Sequence, residues 1–101
     1  MREIIYRGYD LDDVPVYGCL VHTPEGPAIL CREEGEFIHI NPGEIGQYTG
    51  LEDNNGISVF EGDHLVGQDL MIIVMFRDGA FWVGSSLLKD VVNNGWVVGD
   101  L

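Results

Sequence analysis

The chain has 101 residues, the size of one ordinary domain, with room for one hydrophobic core and a small appended hairpin layer. Its composition, 46% hydrophobic and 22% charged, is that of a globular rather than a disordered chain. Seventeen Asp and Glu against five Lys and Arg give a net charge of −12, which excludes the cationic footprint that holds phosphate backbones and so argues against direct nucleic-acid binding.

Fourteen glycines and four prolines cut the chain into short segments rich in β-branched and aromatic residues, which predicts a mainly β fold with tight turns. Residues 3–9 read as a first strand. Residues 14–23 and 28–32 read as two more, joined by Thr23-Pro24-Glu25-Gly26-Pro27. Pro24 suits the second position of a type I turn, and Gly26 can take the left-handed conformation that closes it. Residues 36–41 alternate, with Phe37 and His39 on one side and Ile38 and Ile40 on the other, as a half-buried strand does.

Asp53-Asn54-Asn55-Gly56 is a strong turn signal, because Asn and Gly tolerate positive φ. Residues 57–60 and 63–66 follow as short strands about Glu61-Gly62. Residues 70–76 and 81–84 flank Arg77-Asp78-Gly79-Ala80, and an Asp-Gly between two apolar runs predicts a hairpin. One short helix is expected near 86–93. Ser85 or Ser86 would cap it, Leu87, Leu88, Val91 and Val92 would share its buried face, and Asn94-Gly95 would stop it. Residues 96–101 close the chain as a last strand.

Residue chemistry offers few reaction centres. With a three-residue loop in the first hairpin, Cys19 would face Cys31, although Pro27 lacks the N–H that its ladder position would want. Both are expected to be reduced, partly buried thiols. His22, His39, Cys19 and Cys31 show no short metal-ligand spacing, so neither a metal nor a cofactor is expected. The 53–56 turn is no calcium loop: with Gly56 at the sixth position, Leu51 and Gly62 fall where carboxylates are required. None of the serines sits in a nucleophile elbow, and the single lysine, Lys89, follows no glycine-rich phosphate loop. Glu61 and Asp63 could serve acid–base chemistry, with Tyr48 and His64 as neighbours, but carboxylates beside a turn glycine more often accept backbone N–H bonds. Among the aromatics, Phe81 and Trp82 are adjacent on a strand and must point to opposite faces, which singles out Trp82 as a partner-contact residue.

The stretch Gly46 to Val66 carries a more specific signal. Gln47, Tyr48, Thr49, Gly50 and Leu51 lead into a turn with Asp53, Asn55 and Gly56, then a short strand, then Glu61, Gly62 and Asp63. This order resembles the signature of the YopX family of phage and prophage proteins. Residues 4–10, with the Tyr6-Arg7 pair, are similar to the family's opening strand, and residues 97–100 to its closing strand. The resemblance implies a small SH3-like barrel over residues 46–101, with residues 1–45 as an N-terminal β-hairpin layer of the same domain. It implies a bacterial cytoplasmic setting but no reaction. Two departures stand out. Lysines common around the family's Asn-Gly are replaced by Glu52, Asn54 and Ile57, and a partner contact carried by the family's aromatic-acidic-Asn-Pro tail is not expected.

The expected function is therefore a non-catalytic module that binds a protein partner or a second copy of itself. An alternative uses the charge, as an acidic decoy for basic DNA-binding host proteins. A second alternative is an enzyme built on Glu61 and Asp63. No apolar run approaches the roughly 18 residues of a membrane span, and charges at positions 2, 3 and 7 interrupt any secretory apolar core, so neither a membrane nor a secreted location is expected.

Overall fold

A computed structural model describes residues 5–31 and 35–99. Residues 3, 4 and 32 of the predicted strands, and residues 100–101 of the last one, lie outside the described residues. Among the described residues the protein is mainly β, with two antiparallel sheets of six and five strands and one short helix. The chain divides into two compact units at Tyr48/Thr49.

The first unit contains β1 (Tyr6–Tyr9), β2 (Pro15–Thr23), β3 (Gly26–Cys31), β4 (Glu36–His39) and the start of β5 (Gly46–Glu52), in the order β4-β3-β2-β1-β5. Asp10 builds the β1–β2 connection: its Oδ1 accepts the N–H groups of Asp12 and Val14, each at 2.9 Å, and its own N–H donates to the Val14 carbonyl at 3.0 Å. Val16, Ile29 and Ile40 form the buried centre, with Tyr6, Leu20, Ile38 and Ile45 packed around it. Ile40 fits because Gly8 has no side chain: a Cβ there would lie 2.5 Å from the Ile40 Cδ1.

The register of the β2–β3 hairpin is not that of the three-residue loop weighed above. Thr23 pairs with Gly26, so the loop holds only Pro24 and Glu25. The Thr23 hydroxyl donates to the Gly26 carbonyl at 2.8 Å and accepts the Glu25 N–H at 3.3 Å, while Gly26 takes φ +123°. These bonds place His22 opposite Pro27 and Cys19 opposite Leu30. Cys31 is one residue further on, so its side chain leaves the sheet on the face opposite to Cys19, and the two do not meet across the ladder. Both are thiols without a disulfide.

The second unit contains the end of β5, then β6 (Ser58–Phe60), β7 (His64–Gly67), β8 (Leu70–Arg77), β9 (Ala80–Val83), β10 (Ser86–Leu87), α1 (Leu88–Asn93) and β11 (Val97–Val98). Its five-stranded sheet runs β10-β9-β8-β7-β11. The expected Asp78-Gly79 hairpin forms, with φ of 52° and 79° at its two central residues. A second tight hairpin joins β7 to β8 through Gln68 and Asp69, at φ 52° and 62°, without a glycine at either position. The resemblance implied a closed small barrel. Among the described residues the sheet is instead open, because its edges β10 and β11 pair on one side only.

The helix begins later than expected. Ser86 and Leu87 pair with Val83 and Trp82 as a strand, so Leu87 takes the N-cap position with no side-chain cap bond, and neither serine caps the helix. Its end follows the expected glycine stop in a Schellman arrangement. Gly95, at φ +90°, donates to the Val92 carbonyl at 3.0 Å, and Trp96 donates to the Val91 carbonyl at 3.3 Å. Val91 and Trp96 share the core with Val59, Leu65, Val74, Val83, Leu88 and Val92.

Trp96 reaches that position by lying against Gly67, where a Cβ would meet the indole Cδ2 at 2.5 Å. Gly67→Ala is therefore expected to displace the indole and cost about 2 kcal/mol, measured as a lower urea midpoint at unchanged slope.

Candidate functional site

The family-signature residues are used mainly as structural ties. Gln47 and Tyr48 belong to the first unit, where Gln47 pairs with Tyr6 and the Tyr48 N–H donates to the Ile5 carbonyl at 2.7 Å. The others lie in the second unit. Thr49 is buried, its hydroxyl donating to the Val59 carbonyl at 2.7 Å and accepting the Leu51 N–H at 3.2 Å. Gly50 takes φ +84°, and Leu51 packs against the core.

The Asp53 side chain accepts three backbone hydrogen bonds. It is buried, with 5% exposure. Its Oδ1 accepts the N–H groups of Asn55 at 2.8 Å and Ile57 at 3.0 Å, and its Oδ2 accepts that of Val98 at 3.0 Å. The Gly56 N–H closes the turn on the Asp53 carbonyl at 3.0 Å, with Gly56 at φ +77°. Burial pushes the carboxyl upward in pKa, but the donors of Val98, Ile57 and Asn55 outweigh it and hold the group below its ordinary value of 3.8. One carboxylate thus shapes a local turn and fastens the last strand, 45 residues away in sequence.

Asp63 does a similar job in the next turn. Its Oδ2 accepts the Phe60 N–H at 2.8 Å, its own N–H donates to the Phe60 carbonyl at 3.0 Å, and its carbonyl accepts the Val74 N–H at 2.8 Å. Gly62, at φ +93°, donates to the Val74 carbonyl at 2.9 Å. Asp63 is therefore the expected turn acceptor; Glu61 beside it is half-buried. Among the described residues no three His, Cys, Asp or Glu side chains come together to hold a metal ion, and no helix is long and apolar enough to cross a membrane.

The other notable feature is the outer face of the five-stranded sheet. Ile72 and Val74 of β8 turn inward to the core, so the alternate residues Met71, Ile73 and Met75 turn outward. They remain 43%, 44% and 51% exposed. Their cross-strand partners on the same face are Val66, His64 and Trp82. Trp82 is half-buried rather than free-standing: its indole N–H donates to the Arg77 carbonyl at 3.0 Å, and the Arg77 guanidinium lies 4.9 Å from the ring centroid. Sequence reasoning singled out Trp82 but missed the β8 residues, whose alternation is hidden because residues 70–76 are apolar on both faces.

These features define a mainly β protein whose signature residues brace its turns. The YopX protein family matches the chain over residues 23–100, and the chain belongs to that family. No curated protein matches it.

Proposed function

We propose that this YopX-family chain is a non-catalytic protein-docking module, acting in a phage or prophage setting inside the bacterial cell. In this reading the second unit is an opened form of an SH3-like small barrel. The observation that carries the docking role is the outward row Met71, Ile73 and Met75 beside Trp82, because large side chains standing together in water are unusual on a lone soluble domain and mark interaction surfaces. The engagement of Asp53, Thr49 and Asp63 in backbone bonding supports a structural rather than a catalytic use of the family motif.

Ile73→Ser tests the reading, since Ile73 is outside the buried core and its loss is expected to leave the melting temperature within a few degrees. Light scattering on the pure chain and affinity capture from a bacterial host lysate measure association. Association that Ile73→Ser abolishes is the expected result; a strict monomer that retains nothing, or association indifferent to Ile73→Ser, refutes the proposal.

A further inference from the structure

We infer that the occupant of this face is a cationic amphipathic helix of a partner protein, an inference that rests on the docking reading above and adds the partner's chemistry. The charge speaks first. A second copy would bring another −12 against the −12 already present, whereas a Lys- and Arg-rich segment is drawn in. The two hairpin turns at the ends of β8 carry exposed Asp69 and Asp78, so the apolar row is bounded by carboxylates at both ends. Arg77, on the same side of β8, is directed onto the Trp82 ring and the Gly84 carbonyl, 3.4 Å from its Nη2.

The sheet's shape then selects a helix over an added strand. Strand addition needs a long open edge, and both edges of this sheet, β10 and β11, are two residues long. A helix needs only a face. From Met71 to Met75 the row spans about 13 Å, close to the rise of about 12 Å between the first and last of apolar anchors at i, i+4 and i+8 of a helix. Flexible, polarisable methionines at both ends of the row can adapt to the ridges of such a helix.

The probe is a synthetic lysine–leucine helix of about 18 residues, titrated into the isotopically labelled full chain and followed by amide chemical shifts. Two controls accompany it: a glutamate–leucine peptide with the same apolar stripe, and a scrambled lysine–leucine peptide without one. The expected result is perturbation centred on Val66, Met71, Ile73, Met75 and Trp82. Binding is expected to weaken about tenfold with Ile73→Ser and severalfold with Asp69→Asn plus Asp78→Asn or with added salt, and neither control peptide matches it. Equal binding of the glutamate–leucine peptide at the same residues overturns the cationic partner and leaves the docking face standing. Equal binding of the scrambled peptide overturns the amphipathic helix. Absence of binding by the lysine–leucine helix overturns the inference, while an association of the chain that Ile73→Ser still abolishes preserves the docking reading. Perturbation confined to residues outside β7, β8 and β9 overturns the inference in the same way, and the docking reading again stands or falls with the effect of Ile73→Ser on the chain's association.

Discussion

Asp53→Ala is expected to lower stability by about 4 kcal/mol, because it strands the N–H groups of Asn55, Ile57 and Val98 that one buried carboxylate now satisfies. Hydrogen exchange is expected to quicken most at Val98, in the strand that Asp53 fastens from 45 residues away. The same group gives stability an acid limb. Its folded pKa lies below the ordinary 3.8, so its contribution is complete above the unfolded value and is lost as pH falls through the folded one. Denaturation midpoints of the native chain therefore fall below about pH 4, whereas this group adds no slope at neutral pH. Asp53→Asn retains the shape but removes the titration and replaces one acceptor by a donor. It is expected to be less stable at neutral pH and to show a flatter acid limb. An acid limb unchanged by Asp53→Asn would assign that limb to other carboxylates.

Gly18→Ala is expected to be comparably damaging in the first unit, at about 4 kcal/mol. Gly18 lies opposite Tyr6, and a Cβ built there would sit 2.2 Å from the Leu30 carbonyl oxygen and 3.0 Å from the Ile29 Cγ2. The first of these is backbone in the β2–β3 ladder and cannot swing aside like a side-chain end, so relief requires the two strands to separate. Fluorescence offers a natural readout, since all four tyrosines lie in residues 1–48 and both tryptophans beyond them. The variant is expected to lose exchange protection at Leu20 and Ile29 first. A Gly18→Ala chain with the native midpoint and native protection there would disprove the clash.

The features legible in the sequence are those decided within a few residues. Asp78-Gly79 fixes a two-residue turn because both residues accept positive φ, and Gly95 ends the helix for the same reason. The β7–β8 turn uses the same geometry but places Gln68 and Asp69 there, a pair that does not announce it. The loop length of the first hairpin is not legible, because Gly26 serves as a ladder partner rather than as part of the loop, and that shift of one residue separates Cys19 from Cys31. Strand β5 carries Gly46, Gly50 and a polar Gln-Tyr-Thr run, so its period is masked although the family signature runs through it. A serine cap does not form, because Ser86 and Leu87 gain ladder partners in β9.

The candidate site divides in the same way. Asp63 as a turn acceptor could be read from Glu-Gly-Asp alone, since its donor Phe60 is three residues away. The Asp53–Val98 tie could not, because nothing local at either end encodes the other. The β8 face was equally hidden, since burial decides which half of a uniformly apolar strand meets water, and burial depends on what α1 and β6 place beneath it.

The Asp53–Val98 bond also bears on the order in which the molecule matures during synthesis. When the ribosome has made β5 through β9, the second Asp53 oxygen still lacks its Val98 donor, and the indole that lies on Gly67 has not yet been added. Closing that gap brings together positions 45 residues apart, an entropic cost met late and all at once. A nascent chain halted before Trp96 would therefore hold hairpins without a sealed core, and protease sensitivity is expected to drop only once β11 has emerged.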